Sequence, residues 1–420
     1  MDKKSVKDID IRDKRVIMRV DFNVPMKDGI VQDDTRIKAS LPTIKYILEQ
    51  NVKSLVLMSH LGDPKKDKEK AKEKAEKEGK HFDEKKYLES KHMMAPVAKV
   101  LSQLINKEVK LAPACIGKET ETMVNSLEPG EILLLENTRF HREETSKDET
   151  ERKKMAQALA KYGDIYVNDA FGTAHRPHAS TETIALYLPA VAGFLMEKEL
   201  EYLQEKVVKN PVKPFVAIIG GAKISSKIAV LESLLSKVDH LLIGGGMTYT
   251  FLKSLNISIG DSLVEDDMLE ICKNILEKAK EKRVNLVLPL DHVVAKEFSN
   301  EALSEQTETE SIEPGWIGMD IGPKTLEKFK NIIQSAKTVF WNGPMGVFEF
   351  PKFATATNTI ARILAELKGA TTVIGGGDSV SAVNQAGVAD KMSHISTGGG
   401  ASLELVEGKI LPGVAALNDK

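Results

Sequence analysis

Short apolar runs punctuate the chain at 16–20, 55–58, 132–135 and 165–167, and again at 215–219, 240–243, 286–288, 338–341, 372–374 and, less sharply, 394–396. Each reads as a short buried strand, and longer stretches of helical periodicity separate them. In 146–162, Met155 and Leu159 share one helical face, and Ser146 with Glu149 makes a capping-box pattern. Buried strands alternating with helices predict an α/β protein with largely parallel sheets.

Within 190–210, Met196, Leu200, Leu203 and Val207 recur at helical spacing with charges between them, and Pro211 and Pro214 end the run. This predicts an interdomain helix, 192–209, joining two doubly wound parallel-sheet lobes, 1–191 and 210–400. Such a helix would carry motion between lobes as a lever. The stretch 63–89 interleaves Lys and Glu with few apolar residues, the mark of a solvated helix or flexible loop. A similar acidic, polar loop is expected at 300–310. No internal repeat stands out beyond the βα alternation.

Composition narrows the function. A chain of 420 residues suits two domains. With 42% hydrophobic and 29% charged residues it reads as soluble and globular. A net charge of −2 leaves no global field to draw nucleic acid or an anionic membrane, so any anion site must be local. Cys115 and Cys272 lie far apart without C-x-x-C spacing, against a disulfide framework or a zinc site. The N-terminus has no apolar signal region and no run approaches a membrane span. A cytoplasmic enzyme or binding protein is expected, without nucleic-acid or membrane partners.

In open α/β sheets the ligand crevice lies past the carboxyl ends of the strands. In the first half those ends carry Asp21 and Asn23, Ser59 and His60, Asn137, Arg139 and His141, then Asn168, Asp169, His175 and Arg176, with Arg36 a little downstream of the first. Several guanidinium forks suit a small ligand bearing carboxylate or phosphate. Arg36 is equally compatible with a surface position, and His60, His141, His175 and His178 with core positions.

The second half ends its strands in glycine: Gly220-Gly221-Ala222-Lys223, Gly244-Gly245-Gly246, Asn342-Gly343, Gly375-Gly376-Gly377-Asp378 and Gly398-Gly399-Gly400. A series of such turns reads as a nucleotide bed. The run 371–383 passes from strand through three glycines to Asp378, Ser379 and a helix. Its backbone N–H groups suit an anion, and Asp378 suits a hard cation bridging carboxylate and phosphate. Neither the Walker signature nor G-x-G-x-x-G occurs. Lys223, in a glycine turn, reads as a phosphate contact, and Lys227 one turn on as another. Glu349 fits either a ribose ligand or a solvent-facing residue. An acidic metabolite opposite a Mg-nucleotide points to phosphoryl transfer, which needs positioning, charge neutralisation and exclusion of water by closing lobes.

The segments RVDFNVP, DDTRI, SHLG, ENTRFH, NDAFGTAHR, GGAK, GGGM, GWIGMDIGP, WNGPMGVFE, GGGDSV and STGGGASLE, in unbroken order from Val16 to Gly413, resemble phosphoglycerate kinases. The resemblance implies reversible phosphoryl transfer between 1,3-bisphosphoglycerate and ADP, giving 3-phosphoglycerate and MgATP, in glycolysis. It also implies a monomer whose C-terminal segment, 401–420, returns to the first lobe. By motif, Asp21, Asn23, Arg36, His60, Arg139 and Arg176 would contact phosphoglycerate. Lys223 would follow the moving phosphoryl group with Arg36 facing it, and Gly398 and Gly399 would donate amides to that group. Asp378 would meet Mg²⁺ and Glu349 the ribose. Gly376, Gly377, Ser379, Asn342 and Lys227 would contact nucleotide phosphates, and Gly221, Gly244 and Gly245 would bed the adenosine. One departure matters: after S-H-L-G the family usually has Arg-Pro, and Asp63 stands here in place of that arginine. A negative charge there should weaken binding of the substrate phosphate unless Lys65 or Lys66 reaches in or the loop turns away.

Two rivals differ in kind. A non-catalytic two-lobed nucleotide- or metabolite-binding protein gives no reason for Lys223 in the same glycine bed as Asp378. A dinucleotide-dependent dehydrogenase lacks its glycine fingerprint.

Overall fold

The computed structural model describes residues 2–420. Two six-stranded sheets frame it, with every neighbouring strand pair in them parallel. The first contains β1 (Arg15–Arg19), β2 (Ser54–Met58), β3 (Val109–Leu111), β4 (Ile132–Leu134), β5 (Ile165–Asn168) and β6 (Ala190–Ala192), in spatial order β3-β4-β2-β1-β5-β6. The second contains β7 (Phe215–Ile219), β8 (His240–Ile243), β9 (Asn285–Val287), β10 (Thr338–Asn342), β11 (Thr371–Gly375) and β12 (His394–Ile395), in order β9-β8-β7-β10-β11-β12. Every apolar run read from the sequence is a strand. The fold is α/β and two-lobed.

β2, β7 and β10 are buried at every position, as a strand covered by helices on both faces requires. In the first core, Leu55, Leu57 and Met18 pack with Ile37, Ile44 and Ile47 of the helix Thr35–Glu49. In the second, Val216, Val339 and Trp341 pack with Phe329 and with Ile360 and Leu364 of the helix Thr355–Glu366. Truncating such a residue, Leu55→Ala for example, costs about 2–5 kcal/mol. The chain divides into two compact units, residues up to Glu199 with Ile410–Lys420, and Leu200–Lys409.

Several elements differ from expectation. β3, β6, the hairpin Met26–Lys27/Ile30–Val31 and an antiparallel sheet of His292–Ala295, Ser304–Gln306 and Ile317–Ile321 carried too little apolar periodicity to be read. The strand Ser304–Gln306 lies inside the stretch read as a polar loop. Residues 190–192 are edge strand β6, and the connecting helix begins at Phe194. From Leu200 to Lys209 it winds as a π-helix, closed by the Asn210 N–H on the Glu205 carbonyl at 2.8 Å. The helix Glu149–Ala160 is capped by Asp148, which accepts the Thr150 N–H at 2.8 Å, because the Ser146 hydroxyl is taken by Glu151. The charged stretch forms two helices, Pro64–Lys77 and Glu84–Lys91. The C-terminal return is shorter than 401–420. The helix Gly400–Val406 packs on the second unit, where Ser233 bonds the Val406 carbonyl. Beyond it, Asn168 reaches the Gly413 carbonyl and Lys3 pairs with Asp419. No helix among the described residues is long and apolar enough to cross a membrane.

Candidate active site

β1 lies between β2 and β5, so the strand order reverses beside it, and the loops leaving these strands converge there. The Asp21 carboxylate takes the Arg36 guanidinium at 2.5 Å, fixing its direction. The Asn23 side-chain oxygen Oδ1 accepts the Gly62 N–H at 2.8 Å, and Arg139 donates to the Gly62 carbonyl at 2.9 Å. Asn137, wholly buried, ties the two loops together. It donates to the Leu61 and His92 carbonyls and accepts from the Leu61 and Arg139 amides. Arg176 is exposed and bonds the His175 ring at 3.1 Å. Asp21 and Asn23 therefore act first as supports for the cations and loops around them.

Electrostatics make this a basin for an anion. Burial pushes the His178 ring down to about 3, aided by Arg139, Arg19 and Arg176. Burial likewise holds His60 well below its ordinary value, with Arg19, Arg139, His178 and Arg36 adding to it. The Arg139 guanidinium is also depressed, by burial first, with the Asp63 charge working the other way. Groups that lower each other's proton affinity repel, and a bound carboxylate or phosphate would relieve that repulsion.

In the second sheet the reversal falls between β7 and β10. Two cavities open there. One, about 230 Å³ and mostly apolar, is lined by Gly245, Tyr249, Leu263, Phe298, Val347 and Glu349 among others. The other, about 390 Å³, is lined by Lys223, Lys227, Asn342, Gly376, Gly377 and Ser379. Gly221, Ala222 and Asp378 line both, so a flat apolar group and a polyanion can occupy a continuous space.

The glycines divide by what they do. Gly220 and Gly221 donate their amides to the Asn342 and Pro344 carbonyls, and Gly244 and Gly245 to those of Ile219 and Met345. A Cβ on Gly220 would stand 2.1 Å from the Pro344 oxygen. These glycines let three loops interlock, and their amides are used inside the protein. Gly244 lines neither cavity and packs on Met345. Gly377, by contrast, faces open space at the start of the helix Gly377–Gln385. The Ser379 hydroxyl accepts the Gly343 N–H at 2.6 Å and so shapes the loop. Lys227 donates to the Asn342 side-chain oxygen, and the buried Asn342 Nδ2 has no partner. Burial lowers the Lys227 ammonium, opposed by Asp378 and Glu407. Lys223 is exposed, its turn closed by the Ser226 hydroxyl on its carbonyl. Gly398 and Gly399 lie beyond β12 and line neither cavity, and the Gly398 amide is taken by Ser396 at 3.1 Å.

Sequence reasoning passed over buried Arg19, which meets His60, and the buried Ser180 and Glu144 behind it. The available signal for Arg19 was a charged residue inside an apolar run, Val16-Ile17-Met18-Arg19-Val20.

A cationic basin at one strand reversal and a polyanion cavity continuous with an apolar one at the other define a two-lobed α/β phosphotransferase, a kinase. The chain belongs to the phosphoglycerate kinase family, whose model matches residues 6–409. It is 50% identical over 417 residues to the phosphoglycerate kinase of Treponema pallidum (strain Nichols), covering 99% of each chain. It is 52% identical over 424 residues to that of Chloroflexus aurantiacus (strain J-10-fl), covering 100% of both. The chloroplastic phosphoglycerate kinase of Volvox carteri is 53% identical over 426 residues, covering all of this chain and 87% of that one. Among solved structures, phosphoglycerate kinase from Coxiella burnetii superposes with a TM-score of 0.84 at 39% identity, covering 99% of this chain and 98% of that one.

Proposed function

We propose that this chain catalyses reversible phosphoryl transfer between 1,3-bisphosphoglycerate and ADP, giving 3-phosphoglycerate and ATP, the glycolytic reaction of its family. The observation that carries the reading is the pair of cavities sharing Gly221, Ala222 and Asp378, built for a nucleotide, in a chain whose other unit holds an arginine basin.

In this reading Arg36, Arg139, Arg176 and His60 neutralise and orient phosphoglycerate, with Asp21 and Asn23 steadying them. Tyr249, Gly245 and Val347 wall the base, and Glu349 meets the ribose. Lys227, Asn342, Gly376 and Gly377 hold the phosphates, and Lys223 with the Gly399 amide spreads charge on the transferred group, the Gly398 amide being held by Ser396. No general base is needed, because the acceptor carboxylate is already ionised. Asp378 is an exposed single carboxylate at the mouth of both cavities, which fits Mg²⁺ carried on the nucleotide phosphates. Bound there, the ion would offset phosphate charge. A cytoplasmic monomer without nucleic-acid or membrane partners completes the proposal.

The test is a coupled assay for ADP release dependent on both ATP and 3-phosphoglycerate. Lys223→Ala should lower kcat by about a hundredfold or more while both ligands still bind. A chain that binds both ligands without turnover is the non-catalytic rival.

A further inference from the structure

We infer that Arg19 is a positioning residue that locks His60 in one neutral tautomer, with the proton on Nε2, and that Glu144 and Ser180 hold Arg19 in place to do it. The inference rests on the proposed reading only where it concerns substrate; the tautomer itself does not.

The argument is one of hydrogen-bond polarity. Arg19 is wholly buried, and each of its three side-chain nitrogens has a partner inside the protein. Nε donates to the Ser180 hydroxyl at 2.8 Å, Nη1 to the Val20 carbonyl, and Nη2 meets His60 Nδ1 at 3.2 Å. A guanidinium only donates, so Nδ1 must accept and the ring proton must sit on Nε2. The far end is equally determined. Ser180 donates its hydroxyl to Glu144 Oε1 at 2.5 Å and its N–H to Oε2 at 2.9 Å. A carboxylate only accepts, so the hydroxyl between them accepts from Arg19 and donates to Glu144. Glu144, fully buried, supplies the negative charge that lets a buried guanidinium stay there. Burial acts most on the His60 ring, and the cations Arg19, Arg139 and Arg36, with the neighbouring His178 ring, further oppose its protonation.

Arg19 thus differs from Arg36, Arg139 and Arg176, which keep exposed surface for an anion. Its effect on substrate is indirect: it makes His60 a neutral N–H donor that can only give a hydrogen bond to a carboxylate or phosphate oxygen. Binding of phosphoglycerate then needs no proton uptake at this ring.

The test begins with the unaltered, ligand-free protein. Two-bond ¹H–¹⁵N spectra, with His60 assigned by comparison with His60→Gln, should show Nδ1 bare and Nε2 protonated, unchanged from pH 6 to 8. An imidazolium, or a proton on Nδ1, overturns the inference whatever the enzyme's activity. Arg19→Met combined with Glu144→Gln removes the donor while keeping the buried charge balanced. That variant should change the His60 tautomer signature while the ring stays neutral, because burial, the larger influence on it, remains. At pH 8 the KM for 3-phosphoglycerate should rise about tenfold with kcat much less affected. Should the double variant fail to fold, Ser180→Ala, which cuts only the bridge, should move the same signature and KM in the same direction. A folded variant of either kind with an unchanged tautomer and an unchanged KM assigns Arg19 a merely structural role and sinks the inference. An inactive unaltered chain with the expected tautomer overturns the proposed function alone.

Discussion

Asp63 puts a carboxylate at the rim of a basin otherwise built from arginine and histidine. It is the N-cap of Pro64–Lys77, accepting the Lys66 N–H at 3.2 Å, while its own N–H donates to Asp67 at 3.0 Å. Its charge also acts on Arg139. The side chain is therefore bound into the helix that the charged insertion forms, and Lys65 and Lys66 beside it are exposed. Cap and charge can be separated. Asn caps as well as Asp, so Asp63→Asn should leave the melting temperature nearly unchanged and lower the KM for 3-phosphoglycerate about fivefold, the equivalent of roughly 1 kcal/mol for a half-exposed pair. Asp63→Arg should lower KM further but cost about 1 kcal/mol of stability through the lost cap. Initial rates and urea titrations of the two variants check both. An unchanged KM in Asp63→Asn would mean that the charge does not reach the ligand.

The strand-end loops carry the next prediction. Glycines that look alike in sequence should respond differently to a methyl group. Gly220→Ala drives a Cβ into the Pro344 carbonyl and should unlock the loops of β7 and β10, lowering the melting temperature and abolishing nucleotide binding. Gly377→Ala meets nothing within 4 Å and should leave stability within about 0.5 kcal/mol, so any loss of ATP affinity there reports a ligand contact directly. Thermal melts with calorimetric nucleotide titrations separate the outcomes. The connecting helix offers a second case. Asp169 caps its first turn, taking the Leu195 and Met196 amides at 2.9 and 3.2 Å, while Thr43 takes the Phe194 amide. Asp169→Ala should destabilise the chain by about 1–2 kcal/mol in urea titrations, since it strips two amides at a buried helix start. If stability is untouched, the cap is dispensable.

Across the molecule, each unit carries histidines kept neutral by burial, His178 at about 3 in the first and His292 at about 4 in the second. An unfolded histidine titrates near 6.5, so their contribution to stability is complete above that pH and is lost as pH falls toward the folded values. Each group should cost roughly 2 kcal/mol by pH 5. The buried carboxyls of Asp169 and Asp320, raised to about 7, act in the opposite sense, so the histidine share is read as a difference: stability relative to a folded His178→Gln variant should fall by roughly 2 kcal/mol from pH 7 to 5 in urea titrations. A difference that stays constant from pH 7 to 5 would contradict the burial of the His178 ring.

The α/β class and ten of the twelve strands of the two large sheets could be read from the chain, because continuous apolar runs are local properties. β3, β6 and the antiparallel sheet could not, since strands as short and polar as Val109–Leu111 or Ser304–Gln306 exist only through their neighbours. Nor could the division of labour among the glycines, the cap made by Asp63, or the buried row from Glu144 to His60. Those depend on which loops meet, and loops distant in sequence meet only once the sheets have set their strand order. Hydrophobic burial is recorded residue by residue along a chain; hydrogen-bond partnership is a property of pairs, and only the folded molecule brings the pairs together.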